Sequence, residues 1–92
     1  MFTAETLRRF PTEYLQQVAD EVQESLDYME TTMAALKEKI EVVNVILNEG
    51  SRVPHEIVLR FQLEQKNIDI QIATQHAQLE QLRAVIQERN DA

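Results

Sequence analysis

The feature that most constrains this chain is a short break, Asn48 to Pro54, between two long segments with helical apolar spacing. The break contains the only glycine of the 92 residues and one of the two prolines. A glycine just past a helix and a proline at the start of the next one are common helix-end signals. The sequence therefore predicts helices at about 12–48 and 54–89, joined by a turn at 49–53, within a single domain of residues 1–92.

Apolar residues on both sides of the break recur at alternating steps of three and four, the spacing of a coiled-coil seam. The predicted seam residues of the first helix are Leu15, Ala19, Val22, Leu26, Met29, Met33, Leu36, Ile40, Val43 and Leu47, and those of the second are Val58, Phe61, Ile68, Ile72, Leu79, Leu82 and Ile86. A short turn makes consecutive helices antiparallel neighbours. We therefore predict an all-α fold, a long antiparallel helical hairpin of coiled-coil type.

One register places apolar residues opposite each other along both helices. It sets Val43 opposite Val58, Met33 opposite Ile68 and Leu15 opposite Ile86. The flanking positions agree with it. Ile46 then falls near Ile57, Lys39 near Glu64 and Val18 near Val85. Polarity and charge match across the pair, which favours this register.

Two glutamines interrupt the second seam, Gln65 opposite Leu36 and Gln75 opposite Leu26. A polar seam residue lowers stability but selects register and oligomeric state. Either the two amides reach water at the edge of the seam, which we favour, or they pair across a dimer axis.

Further apolar residues lie outside the seam and are the candidate interface. They are Tyr14, Tyr28, Val42 and Val45 in the first helix and Leu59, Leu63, Ile70, Ala73, Ala77 and Ala84 in the second. A hairpin alone would expose them, and exposed apolar patches usually mark an interface. We expect a four-helix bundle to be completed either by dimerisation or by a heterologous protein that fills the same face; a monomer is the third alternative.

Residues 1–10 read as a short helical turn or a loose arm. Thr3 is a suitable cap, and the arm carries Phe2, Leu7 and Phe10 before Pro11 interrupts the helix. The arm either folds back onto the hairpin or inserts into a partner.

The formal charge is −7, and six acidic residues between Glu13 and Glu30 have no basic residue among them. This stretch is either a solvated helix face or a docking face for a basic partner, and it disfavours nucleic acid. The chain has no cysteine and no apolar run long enough to span a membrane, so we expect a cytoplasmic protein.

Side chains suited to chemistry are sparse. His76 and Glu80 lie one turn apart, but a metal site needs further ligands, so we interpret the pair as a surface contact. We predict no catalytic residues, metal, cofactor or small-molecule substrate, and no enzyme activity.

Three functions follow from this pattern. The first is a protein–protein interaction module, an adaptor or small chaperone that shields an apolar helix or segment of a partner. In architecture alone the chain is similar to small secretion co-chaperones, such as the helical-hairpin partners of type III needle subunits. The second is a structural homo-oligomer, and the third is an acidic inhibitor, of phage or plasmid type, that occupies a basic nucleic-acid-binding surface.

Overall fold

A computed structural model describes residues 3–91; Met1, Phe2 and Ala92, and with them the predicted contribution of Phe2 to the arm, lie outside the described residues. The protein is all-α, as predicted, and residues 3–91 contain no strand. Its helices are α1 (Ala4–Leu7), α2 (Thr12–Asn48) and α3 (His55–Asp91). The start of α2 and its end coincide with the predicted bounds, whereas α3 begins one residue later and ends two residues later than predicted.

The break between the long helices is built as its residue types suggest. Gly50 has φ of +84°, the left-handed conformation that glycine adopts without strain. The Ser51 N–H donates to the Ile46 carbonyl at 3.2 Å, and the Gly50 N–H donates to the Leu47 carbonyl at 3.1 Å. These bonds satisfy carbonyls at the end of α2 that have no partner within the helix. At the start of α3 the Pro54 carbonyl accepts from the Ile57 N–H at 3.0 Å.

Contacts between α2 and α3 show that the two helices run antiparallel. Arg89 Nη1 donates to Thr12 Oγ1 at 3.2 Å, and Arg83 Nη2 donates to Gln23 Oε1 at 3.0 Å. Thr12 lies one turn before Leu15 and Arg89 one turn after Ile86, so the first bond continues the register inferred from the sequence. The extents of 63 × 18 × 16 Å are those of a thin rod and fit a helical hairpin.

Burial along the rod is uneven. The main core lies at the end that carries the chain termini, where it consists of Leu7, Leu15, Ala19, Leu26, Leu79, Leu82, Val85 and Ile86. Met33 and Leu36 are also buried, further along α2. Between Leu36 and the turn the seam residues are only half-buried; they are Ile40, Val43, Val58 and Phe61. Four seam residues elsewhere along the rod are half-buried as well, namely Val22, Met29, Ile68 and Ile72. Two helices cover less of each other than three do, and the third helix is present only at the terminal end.

Leu47 departs from its assignment to the seam, because its side chain is exposed. The residue that faces Leu47 in the register is Pro54, which precedes the first residue of α3. The position that the register sets against Leu47 is therefore not helical. The seam is effectively one turn shorter at this end than the apolar spacing indicates.

In the structure the arm folds back onto the hairpin, which is one of the two alternatives left open by the sequence. Thr3 Oγ1 accepts from the Thr6 N–H at 3.1 Å and caps α1. Leu7 is buried in the terminal core. Arg8 forms two hydrogen bonds with the Glu88 carboxylate, at 3.0 and 3.2 Å, and Arg89 Nη2 donates to the Arg8 carbonyl at 2.7 Å. One turn of helix is thus held by an apolar anchor and an ionic clamp.

The two seam glutamines differ. Gln65 lines an open cavity of about 190 Å³ near the turn, together with Ile40 and Phe61, as expected for an amide at the edge of the seam. Gln75 Oε1 is buried and has no hydrogen-bond partner. The expectation that both amides reach water is therefore wrong for the Gln75 oxygen, although the residue as a whole is half-buried and also lines an open cavity of about 200 Å³.

Within residues 3–91, none of the helices combines the length and the apolar character that crossing a membrane requires.

Candidate protein-binding surfaces

The outward side of α2, opposite its seam, carries large apolar side chains that are at least half exposed to solvent. Tyr28 is 74% exposed, Val42 58% and Val45 50%. Tyr14, half-exposed at the terminal end of the same side, stacks on Phe10 with ring centroids 5.3 Å apart. Near the turn, Val42, Val45 and Ile46 line a shallow groove with Glu38 and Glu41. The outward side of α2 is therefore apolar at intervals from its first turns to its last.

The charged residues at the outward heptad positions of α2 are all acidic, and the two lysines of this helix, Lys37 and Lys39, lie on its flanks beside the seam. We define the acidic outer face of α2 as the residues Tyr14, Glu21, Glu24, Tyr28, Ala35, Glu38, Val42 and Val45. All of them are exposed, and no lysine or arginine stands among them. Such a face attracts a cationic surface and repels a second acidic face.

The outward side of α3 has a different composition. We define the outer face of α3 as Leu59, Leu63, Lys66, Ile70, Ala73, Ala77, Glu80 and Ala84. Every one of these residues is exposed, Leu63 by 53% and Ile70 by 55%. They follow each other at alternating steps of four and three, so α3 carries a second coiled-coil stripe nearly opposite the first. Large side chains occupy its first half and alanines occupy most of its second half.

The ten candidate interface residues fall on two separate stripes of the hairpin. Seen down the hairpin, Tyr28 and Val42 lie on the side of α2 that also carries Val18 and Ile46, whereas Leu59 and Ala73 lie on the other side of the pair. Val45 and Leu63 point away from the partner helix, at opposite edges of the rod. A single helix laid against this hairpin cannot touch both stripes. The protein therefore has two separate candidate surfaces, one on each long helix.

His76, considered above as half of a two-residue metal pair, faces α2. Its Nε2 lies 3.8 Å from Glu30 Oε1, and both side chains are more than half exposed. Among residues 3–91 no group of three or more His, Asp or Glu side chains is placed to hold a metal ion. The other ion pair in that part of the chain is Arg8–Glu88, so the opposite charges of Lys39 and Glu64 do not come within 4 Å of each other.

The clamp at the terminal end shifts the pKa values of both partners. The hydrogen bonds from Arg8, followed by its positive charge, lower the pKa of Glu88, and the same interactions raise that of Arg8. Both side chains are more than half exposed, so water screens the pair strongly. The clamp positions α1; it does not form a reactive centre.

The seam pattern alone misses how the arm shapes the terminal end. Phe10 and Tyr14 line a cavity of about 110 Å³ with Leu7, Val18 and Leu82. Val85, a flanking position that a two-helix hairpin would leave partly open, is buried to 1% exposure in this cluster. The available signal was the spacing of Leu7 and Phe10 by three residues, which puts both on one face of a helical turn.

No protein-family model, curated protein or solved structure matches this chain.

Proposed function

We propose that this protein is a non-enzymatic protein–protein interaction module, an adaptor or small chaperone that covers an apolar helix of a partner protein. The binding surface is the acidic outer face of α2, and the helix it accepts is amphipathic and basic. The observation that carries this proposal is the exposure of Tyr28 and Val42 beside Glu24 and Glu38 on the outward side of α2.

The apolar positions account for the helical form of the partner. Tyr28, Ala35 and Val42 lie seven residues apart along one side of α2, two turns at each step. A helix that packs alongside α2 meets these positions with its own apolar residues at the same spacing, as in helix-in-groove recognition. Aromatic residues such as Tyr28 are enriched at interfaces because they combine a large apolar surface with a polar end.

The glutamates account for the charge of the partner. Glu21 and Glu24 precede Tyr28, and Glu38 precedes Val42, so carboxylates flank each apolar position. Lysine or arginine on the rim of a partner helix pairs with them, which accelerates association and selects against acidic partners. An inhibitor that occupies a basic nucleic-acid-binding surface would use the same face and is a special case of this proposal.

A direct test uses a synthetic amphipathic helix of about five turns, with leucine along one side and lysine on the other. We expect it to bind the full-length chain, with an affinity that falls as salt is added. Replacing Tyr28 and Val42 together by serine should weaken binding by about tenfold or more, because the apolar contact is lost. Fluorescence anisotropy with a labelled peptide measures both effects.

Matched controls separate this surface from general attraction to an acidic protein. The double variant Leu63→Ser/Ile70→Ser, on the outer face of α3, should bind the peptide as the natural chain does. The double variant Glu24→Gln/Glu38→Gln should flatten the salt dependence. Equal weakening by the α2 and α3 variants, or equal binding of a peptide with glutamate in place of lysine, contradicts the proposal.

A further inference from the structure

We infer that the outer face of α3 binds a second copy of the same chain, with the two α3 helices antiparallel about a twofold axis near Gln71 and Ile72. This inference concerns a different helix from the proposed function and does not depend on it. In an isologous pair the same patch must complement itself, so its residues have to match in size and in charge when one copy is reversed.

The sizes match when the helices run antiparallel. The first half of the face presents Leu59, Leu63 and Ile70, and the second half presents Ala73, Ala77 and Ala84. Reversing one copy sets Leu59 opposite Ala84 and Ile70 opposite Ala73 of the second copy, while Leu63 falls opposite Glu80 and Lys66 opposite Ala77. Leu59 and Ile70 then fill the space that alanines leave, which is how packed layers interdigitate. A parallel pair would instead set leucine against leucine and alanine against alanine, leaving the alanine half loosely filled.

The charges select the register. In the pairing just described, Lys66 of one copy lies one layer from Glu80 of the second copy, and the twofold axis forms this contact twice. A pairing shifted by one heptad, with Leu59 opposite Ala77, sets Glu80 opposite Glu56 and Asp69 beside Asp69 of the second copy. A parallel pair sets Lys66 against Lys66. The first arrangement brings Lys66 near Glu80 and avoids the Glu80–Glu56 contact of the shifted register, and like charges across an interface are costly.

The arrangement is compatible with the rest of the molecule. The acidic stretch Glu13–Glu30 belongs to α2, and joining the hairpins through α3 leaves the two α2 helices on the outside of the assembly. The acidic outer faces then point away from each other. Joining the hairpins through α2 would bring them together. The dimer is thus a four-helix assembly with a free α2 surface at each edge.

The first experiment measures the mass of the full-length chain in solution across a concentration series. We expect association towards twice the chain mass of 10.7 kDa. Lys66→Glu and Glu80→Lys should each weaken association by about tenfold, because each replaces an opposite-charge contact by a like-charge one. The double variant Lys66→Glu/Glu80→Lys restores the opposite charges and should recover the natural affinity to within about threefold.

The charge variants also distinguish the inferred arrangement from a parallel pair and from the register shifted by one heptad. All of these side chains are exposed, so the hairpin should stay folded, and circular dichroism checks this. In a parallel pair Lys66→Glu replaces two facing positive charges by two facing negative charges, so the affinity of self-association changes little. In the register shifted by one heptad Glu80→Lys alone strengthens association, because it then faces Glu56. Either result overturns the inferred arrangement, as does a constant mass of one chain up to about millimolar concentration.

A second experiment tests geometry. The chain has no cysteine, so single cysteines report on one position at a time. Thr74 flanks the axis and faces Thr74 of the second copy, so Thr74→Cys should crosslink efficiently with a short bismaleimide. Asn67→Cys, on the same flank as Thr74, should do so only in the shifted register, and Thr31→Cys, on the outward side of α2, should not exceed background. Crosslinking at Thr31 with none at Thr74 would place the interface on α2 and overturn the inference.

Discussion

Gln75 shows how much one seam residue depends on its surroundings. Its side-chain oxygen is buried without a partner, in a seam where it lies opposite the fully buried Leu26. Gln65 occupies the equivalent place opposite Leu36, but neither of its amide atoms is both buried and without a partner. A buried acceptor that has lost its water costs stability, whereas an amide at an open edge keeps its hydration. The same residue type therefore has different energetic effects at two positions of one stripe.

Replacing Gln75 by leucine should raise the free energy of unfolding by about 1–3 kcal/mol, because the unpartnered oxygen is removed and the apolar seam continues. Urea denaturation followed by circular dichroism measures the change. The control Gln65→Leu should have a smaller effect, since that amide is already solvated. A loss of stability in Gln75→Leu would indicate that the amide has a partner, for example across an oligomer contact.

At the scale of the element, α1 is a helix that does not stand on its own. One turn fixes several backbone dihedrals for very few hydrogen bonds, so an isolated turn is not stable in water. It is held by the burial of Leu7 and by the bonds that join Arg8 to Glu88 and Arg89. In return α1 closes the terminal core over Val85. Arm and core are therefore stabilised by the same contacts.

The clamp should make the docking of α1 dependent on pH. Because Arg8 lowers the pKa of Glu88 in the folded state, the stabilisation is fully present above the ordinary glutamate pKa of about 4.3 and is lost as pH falls through the lowered value. The effect is small, since the pair is exposed to solvent. Chemical shifts of the Tyr14 ring, which stacks on Phe10, report release of the arm during an acid titration. In Glu88→Gln this pH dependence should disappear; an unchanged titration would show that the clamp does not hold the arm.

The molecule as a whole is well packed at its terminal end and less well packed at the end that carries the turn. Three helices pack at the terminal end, whereas two helices with half-buried seam residues continue to the turn. Regions with few buried apolar contacts open at lower free energy than the global unfolding. Stability along the rod should therefore decrease towards Gly50.

Amide hydrogen exchange measures this gradient directly. Amides near Leu26 and Leu79 should exchange through global unfolding, and those near Val43 and Phe61 should exchange faster through local opening from the turn. The two pairs lie on the same two helices, so each is a control for the other. Uniform protection along both helices would contradict the gradient.

Much of the fold was predictable because its determinants are local. Gly50 and Pro54 end and begin helices through their own backbone properties, and the spacing from Leu15 to Ile86 sets the register. The exposure of Leu47 was less predictable, because it depends on where α3 starts to cover α2. The burial of Val85 depends on a third helix that the seam pattern does not include. The separation of the two outer stripes follows from helical position alone, because Tyr28 and Leu59 occupy heptad positions on opposite sides of the rod.

The antiparallel course of the hairpin also has a mechanical consequence. Thr12 and Arg89 are in contact, so a force that pulls the two ends of the hairpin apart acts across the rod at its terminal end. Under such a load the helices separate one seam layer after another, like a zipper, instead of sliding past each other under shear. The layers that carry the load first are the best packed, and those reached last, near the turn, are the weakest. Once the terminal core yields, the remaining length offers little resistance, so rupture under tension should be abrupt.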